Sequence, residues 1–182
     1  MKNHNKLKFH IVIQLVLLCL LILFDRITKN LAAAHLKRGN DINILSNILV
    51  FHYTENTGAA FGIFKDRLWL FLVFSLLVLA AIIVAYILIN RSAEKKLYSG
   101  TEQYSLKKIN NMIFLNYLLV ILAAGAVGNL IDRVINGYVV DFIYLKIINF
   151  PIFNFADICV SLSAVMLIIF FVFIYKDDPV KK

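Results

Sequence analysis

The chain has 182 residues, of which 61% are hydrophobic and 16% charged, against about 45–50% and about 25% in soluble domains. This excludes an ordinary soluble enzyme and points to a single integral-membrane unit. The net charge of +8 does not indicate nucleic acid, because the basic residues are dispersed between apolar runs, where they act as an orientation signal.

Residues 1–9 are polar and basic, and residues 10–24 are then apolar but for Gln14. With its flanks this run approaches the roughly 20 residues that cross about 30 Å of hydrocarbon. A basic start before an apolar run also describes a secretory signal peptide, with Ala32-Ala33-Ala34 as a cleavage candidate. Asp25, Arg26 and Lys29 intervene, and charges there are unusual before a cleavage site, so a retained first span is expected. Residues 25–39 can continue this helix out of the membrane, with Gly39 as its stop. Asp25 and Lys29 have i,i+4 spacing, whose default reading is an exposed helix pair worth about 0.2–0.5 kcal/mol. Residues 42–64 read as one or two short strands around a turn signalled by Asn56-Thr57-Gly58. They form a small platform on the bilayer surface.

The second span is 68–89, with Trp69 as an interfacial anchor. Residues 90–111 read as a basic soluble loop. The third span, 112–131, ends in the small-residue run Ala123–Leu130, which permits close helix packing. The fourth is 157–175, followed by the polar tail KDDPVKK. The expected fold is therefore membrane all-α, with four transmembrane helices and an extracytoplasmic, β-containing platform between spans 1 and 2. Eleven Lys and Arg residues lie on the side that holds both termini and the 90–111 loop, and eight on the other side over a longer length. Both termini are then expected in the cytoplasm, with segments 25–67 and 132–156 facing outward.

Three acids, Asp132, Asp141 and Asp157, border the third and fourth spans. Acids beside hydrocarbon are costly and are functional candidates by default. Asp157 also fits a structural role: Asn154 is a candidate N-cap, and an acid at the third helical position suits the helix dipole. Asp141, in Tyr-Val-Val-Asp-Phe, fits a strand-end aspartate facing water equally well. The pair is more informative than either member. The acids are 16 residues apart on the same membrane side, and Pro151 interrupts helix between them. Two converging carboxylates share a proton. One can then take a proton from water while the other hydrogen-bonds a scissile carbonyl. The helix N-terminus favours ionised Asp157, leaving Asp141 as the acid.

The remaining polar residues each have a plainer reading. Asp132-Arg133 fits an interfacial ion pair with a snorkelling arginine, or an arginine that orients a carboxylate or a lipid phosphate. Asn129 needs a partner in so apolar a setting. Asn56 fits a turn residue or a group that binds peptide. Ser161 and Ser163 suit hydrogen bonding between helices. Cys19 and Cys159 lie in apolar runs and suit small hydrophobic filling. His4, His10, His35 and His52 make no HExxH, and neither G-x-S-x-G nor a phosphate loop occurs.

Five blocks now stand in order between the expected spans: Phe24–Lys29, Asn56–Gly62, Gly128–Arg133, Gly137–Phe142 and Phe153–Asp157. In them the chain resembles the lipoprotein signal peptidases, signal peptidase II, of bacteria, over about residues 10–175. The resemblance implies an aspartic peptidase of the cytoplasmic membrane, with no metal and no cofactor. Its partners would be membrane lipids and diacylglyceryl-modified prolipoproteins, whose signal peptide it would cut just before the lipidated cysteine. Asp141 and Asp157 match the family's catalytic pair. Asn56, Asn129, Arg133, Asn154 and Ala156 match positions that line or support the site. Asp25, Lys29, Gly58, Gly125 and Asp132 match structural motif positions. The 90–111 loop is longer than the family's usual connection. Two rival readings are a carrier that uses the acids as a proton relay and a non-enzymatic assembly factor. A carrier favours acids near mid-bilayer and broken helices, whereas these acids sit at span ends.

Overall fold

A computed structural model describes residues 2–46, 48–58, 67–99 and 106–174. Four of its helices are long and apolar enough to cross a membrane. In chain order the elements are α1 (Lys2–Leu36), β1 (Ile42–Leu45), β2 (Leu49–Asn56), α2 (Leu68–Ser99), α3 (Leu106–Asn136), β3 (Val139–Leu145) and α4 (Phe155–Ile169). A single 3₁₀ turn, Lys146–Ile148, follows β3, and α4 runs on into a π-turn, Phe170–Ile174.

The helices outrun their apolar windows. Helix α1 continues unbroken through Asp25, Arg26 and Lys29. It stops where Gly39 adopts φ +83° and its N–H bonds Leu36 O at 3.0 Å, a left-handed ending that glycine takes without strain. The 90–111 segment is largely helix rather than loop, because α2 reaches Ser99 and α3 begins at Leu106. No glycine or proline interrupts residues 90–99, so nothing in the sequence stops α2 there. Residues 100–105, the Ala59–Gly62 part of the second motif block and the 176–182 tail lie outside the described residues.

Helix α3 is the centre of the bundle and packs against α1, α2 and α4. Of its most apolar window 44% is buried, against 6–17% for the others. Side chains such as Leu15, Phe74, Leu77 and Ile168 remain exposed on the outer helices, as lipid-facing residues do. Small residues allow the close contact. A Cβ on Gly125 would collide with Ala156 O and lie 2.8 Å from Val160 Cγ2. One on Gly128 would lie 3.3 Å from Ala156 Cβ. Cys159 is buried, whereas Cys19 is exposed and fills no core. Ser163 bonds Cys159 O and Val160 O of its own helix instead of reaching a neighbouring one. Ser161 is exposed.

The platform is a three-stranded antiparallel sheet in the order β1-β2-β3. Its third strand comes from beyond the third span, so the platform is not confined to the segment between spans 1 and 2. The hairpin turns after β1, where the Ile48 N–H bonds Leu45 O at 3.0 Å. Asn56-Thr57-Gly58 instead ends β2 and leads out of the sheet. One extra residue in β2 between Phe51 and Thr54 shifts the register with β3, after which Thr54 faces Asp141 and Asn56 faces Val139. Ala32, Leu36, Val140 and Phe142 form the core beneath. Phe153 then pairs with Ile143, donating at 3.0 Å and accepting at 2.8 Å. This pairing returns the chain to β3 immediately before α4.

The glycine contact gives a direct test. Gly125→Ala forces a methyl group against a backbone carbonyl that cannot swing aside. The expected loss is about 1–3 kcal/mol, read as a lower melting temperature in detergent. An unchanged melting temperature would refute the close approach of α3 and α4.

Candidate active site

The first turn of α4 leaves its N–H groups without intrahelical partners. Asn154 meets this need as the N-cap: its Oδ1 accepts the Asp157 N–H at 3.0 Å, and Asp157 Oδ2 accepts the Asn154 N–H at 3.0 Å. The capping role read for Asn154 and Asp157 is therefore present as a reciprocal box. The Asn154 side chain also points across to β3, where Nδ2 donates to Asp141 Oδ1 at 2.6 Å. One residue thus touches both acids.

Asp141 is 2% exposed. Asn56 Nδ2 holds its other oxygen at 2.8 Å, while Asn56 Oδ1 accepts the Gly58 N–H at 2.9 Å. Asn56 is thus both a turn residue and a donor to the acid. Burial, and then the charge of Asp157, push the Asp141 carboxyl up to about 6, against the lowering effect of Asn56, Asn154 and Lys29. This acid is not the water-facing strand-end residue of the plainer reading.

Asn129 on α3 finds three partners. Its Nδ2 donates to Asp157 Oδ1 at 2.8 Å, and its Oδ1 accepts from Lys29 Nζ at 2.9 Å and Asn154 Nδ2 at 3.1 Å. Arg133 lies one turn on and donates to Asn129 O at 3.3 Å. Its guanidinium sits 5.0 Å from the centre of the Phe71 ring, and its charge faces Asp157, Asp141 and Asp132. Arg133 therefore does not pair with its neighbour Asp132.

Asp132 is fully buried and accepts from Val140 N at 3.2 Å. It is paired instead with Arg26 and, at 3.0 Å, with Lys29 of α1. Lys29 also lies 2.9 Å from Asp25, and both are about 1% exposed. The expected exposed pair is thus a buried ionic cluster, because α3 covers it and supplies the counter-charge. Asp25 Oδ1 accepts the Ala156 N–H at 3.0 Å, so α1 takes part in capping α4. Phe24 and Phe155 pack edge-to-face beside this contact, with centroids 4.6 Å apart. Arg26 was not singled out from the sequence. The signal was three charges within five residues beside an apolar run. Among the described residues no group of three His, Cys, Asp or Glu side chains converges as metal ligands would.

A family model described as signal peptidase (SPase) II matches residues 17–173. The chain is 39% identical over 168 residues to the lipoprotein signal peptidase of Clostridium tetani, covering 91% of this chain and 94% of that one. It is 34% identical over 170 residues to that of Lactiplantibacillus plantarum, covering 93% and 99%. Among solved structures, a bacterial membrane enzyme determined by the in meso method superposes with TM-score 0.70 at 30% identity, over 94% of this chain and 93% of the other. A second structure so described gives 0.67 at 29% identity, over 89% and 94%.

The environment of Asp141 makes a stability prediction. Its folded value of about 6 lies above the ordinary 3.8, so the native state favours the neutral acid. That contribution is full below 3.8 and is lost as pH rises through about 6. The melting temperature of the wild type should therefore fall across this window by more than that of Asp141→Asn. Parallel curves for the two proteins would contradict the burial assigned to Asp141.

Proposed function

The chain belongs to the signal peptidase II family, and from that premise we propose that it is a membrane aspartic endopeptidase acting on diacylglyceryl-modified prolipoproteins. It removes the signal peptide immediately before the lipidated cysteine, with Asp141, Asp157 and one water as the reacting groups. The observation that carries this reading is Asn154, which holds Asp141 with its side chain and Asp157 with its backbone N–H.

Asp157 is the ionised member, supported by the Asn129 amide, the Asn154 N–H and the helix start. It takes a proton from water, and the oxygen attacks the scissile carbonyl. Asp141 is the protonated member and hydrogen-bonds the carbonyl oxygen as charge develops there. The tetrahedral intermediate then collapses as the leaving nitrogen receives a proton. The raised value of Asp141 supports this division. Arg133, facing both carboxylates, supplies positive charge beside the developing oxyanion. Asn56 steadies Asp141, and the buried Ala156, with its N–H on Asp25 and its carbonyl against Gly125, holds the start of α4 in place.

Charge bias between the two sides supports a multi-pass protein of the bacterial cytoplasmic membrane, with both termini inside and the site outside. A lipid-anchored cysteine holds the scissile bond at the level of the headgroups, where a dyad on β3 and the start of α4 meets it. The carrier reading is weaker: Asp141 and Asp157 stand at span ends rather than along a path through the bilayer.

Two experiments follow. Purified protein in detergent should cleave a lipidated prolipoprotein, and Asp141→Asn and Asp157→Asn should each abolish cleavage while remaining folded. Full activity in either variant would sink the dyad. Asn56 lowers the value of Asp141, so Asn56→Leu should move the alkaline limb of the kcat/KM profile to higher pH. A limb that stays in place would remove Asn56 from the site.

A further inference from the structure

We propose that Lys29 is a positioning residue, which fixes the orientation of the Asn129 amide so that its NH2 group faces Asp157. This rests on the dyad reading above.

Lys29 is 1% exposed and has only donors to offer. Its Nζ donates to Asn129 Oδ1 at 2.9 Å. The same ammonium lies 2.9 Å from Asp25 Oδ2 and 3.0 Å from Asp132 Oδ2, so its three donors meet two carboxylates and one amide oxygen. An ammonium group rejects the NH2 end of an amide, so the atom facing Lys29 must be the carbonyl oxygen. The other end of the same amide then has to be a donor, and it meets Asp157 Oδ1 at 2.8 Å. Were the amide reversed, an oxygen would face a carboxylate and an NH2 would face an ammonium. Both contacts would become repulsive.

The Asn154 amide is oriented differently. Its Oδ1 is held by the Asp157 backbone N–H, which no side-chain change removes. Lys29 is the cationic anchor of the second amide, whose Oδ1 it shares with Asn154 Nδ2 at 3.1 Å, and its hydrogen-bonded link to the dyad runs through that amide. It is also among the charges that bear on Asp141, together with Asp157 from α4 and Arg133 from α3, while Asn56 of β2 and Asn154 donate to it. The remaining charges of the cluster, Asp25 and Arg26 of α1 and Asp132 of α3, balance Lys29.

Lys29→Met alone leaves the buried Asp25 carboxylate without its cation and Asp132 with Arg26 only, and is expected to damage folding. The informative comparison is Asp25→Asn/Lys29→Met against Asp25→Asn. The double variant removes one charge of each sign, keeps an acceptor for the Ala156 N–H and leaves the Arg26–Asp132 pair. Cleavage of a peptide carrying a diacylglyceryl cysteine is the readout. Relative to Asp25→Asn, kcat should fall on the order of tenfold to a hundredfold, the scale of a misplaced reacting group. KM should hold, because Lys29 does not touch substrate. The alkaline limb of the pH profile should move upward, since Lys29 lowers the value of Asp141.

A second variant leaves the ionic cluster complete. Asn129→Asp still gives Lys29 an acceptor but offers Asp157 no donor. It should remain folded and show the same loss of kcat. Wild-type-like kcat in Asn129→Asp, or a double variant with the kcat and pH profile of Asp25→Asn, would overturn the assignment while Asp141→Asn and Asp157→Asn stay inactive. Cleavage by those two variants would instead overturn the dyad itself.

Discussion

The beginning of α4 imposes the constraint on which the site depends. A helix that starts at the edge of hydrocarbon cannot leave its first N–H groups to chance, because each one left unbonded there costs several kcal/mol. In this chain they are met by Asn154, Asp157 and, from another helix, Asp25. The carboxylate proposed to activate water is therefore also part of the cap that starts the helix. Folding and chemistry draw on the same atoms, so the reacting group is held as firmly as the helix is.

Around that start the polar side chains form one connected set. Asp25, Arg26, Lys29 and Asp132 balance to zero charge, and Lys29 passes their order to Asn129. Buried ion pairs contribute little net stability, since desolvation offsets most of the attraction, but breaking one partner is costly. Their value here is geometric. They lock α1 to α3 at one register and bring Asp132 against the backbone of β3. Gly125 then lets the start of α4 approach closely enough for these bonds to form, and Gly128 leaves room for the Asp25 carboxylate.

Much of this was legible in the sequence. Four apolar runs predicted the spans, Gly39 the end of α1, and Asn154 with Asp157 the cap. These are local signals, each contained in a few consecutive residues. What the sequence obscured was long-range. The i,i+4 spacing of Asp25 and Lys29 is the same on a wet surface as in a buried cluster, and only the arrival of Asp132 on α3 distinguishes the two. The partner of Asp132 was misread for the same reason: adjacency favours Arg133, whereas successive residues on a helix face different ways. The 90–111 segment failed differently, since polar composition separates water from lipid but does not separate loop from helix.

The buried cluster also has an order of assembly. Asp25, Arg26 and Lys29 are made early, whereas Asp132 follows about a hundred residues later. Until then these three residues carry one more positive charge than negative. The i,i+4 contact between Asp25 and Lys29 lies within a single helix and can form at once, which lowers the cost of holding those charges beside lipid. The arrival of α3 brings the missing negative charge and completes the neutral set. The late helix thus converts a provisional pairing into a permanent one, and only then does Lys29 acquire the amide that it orients.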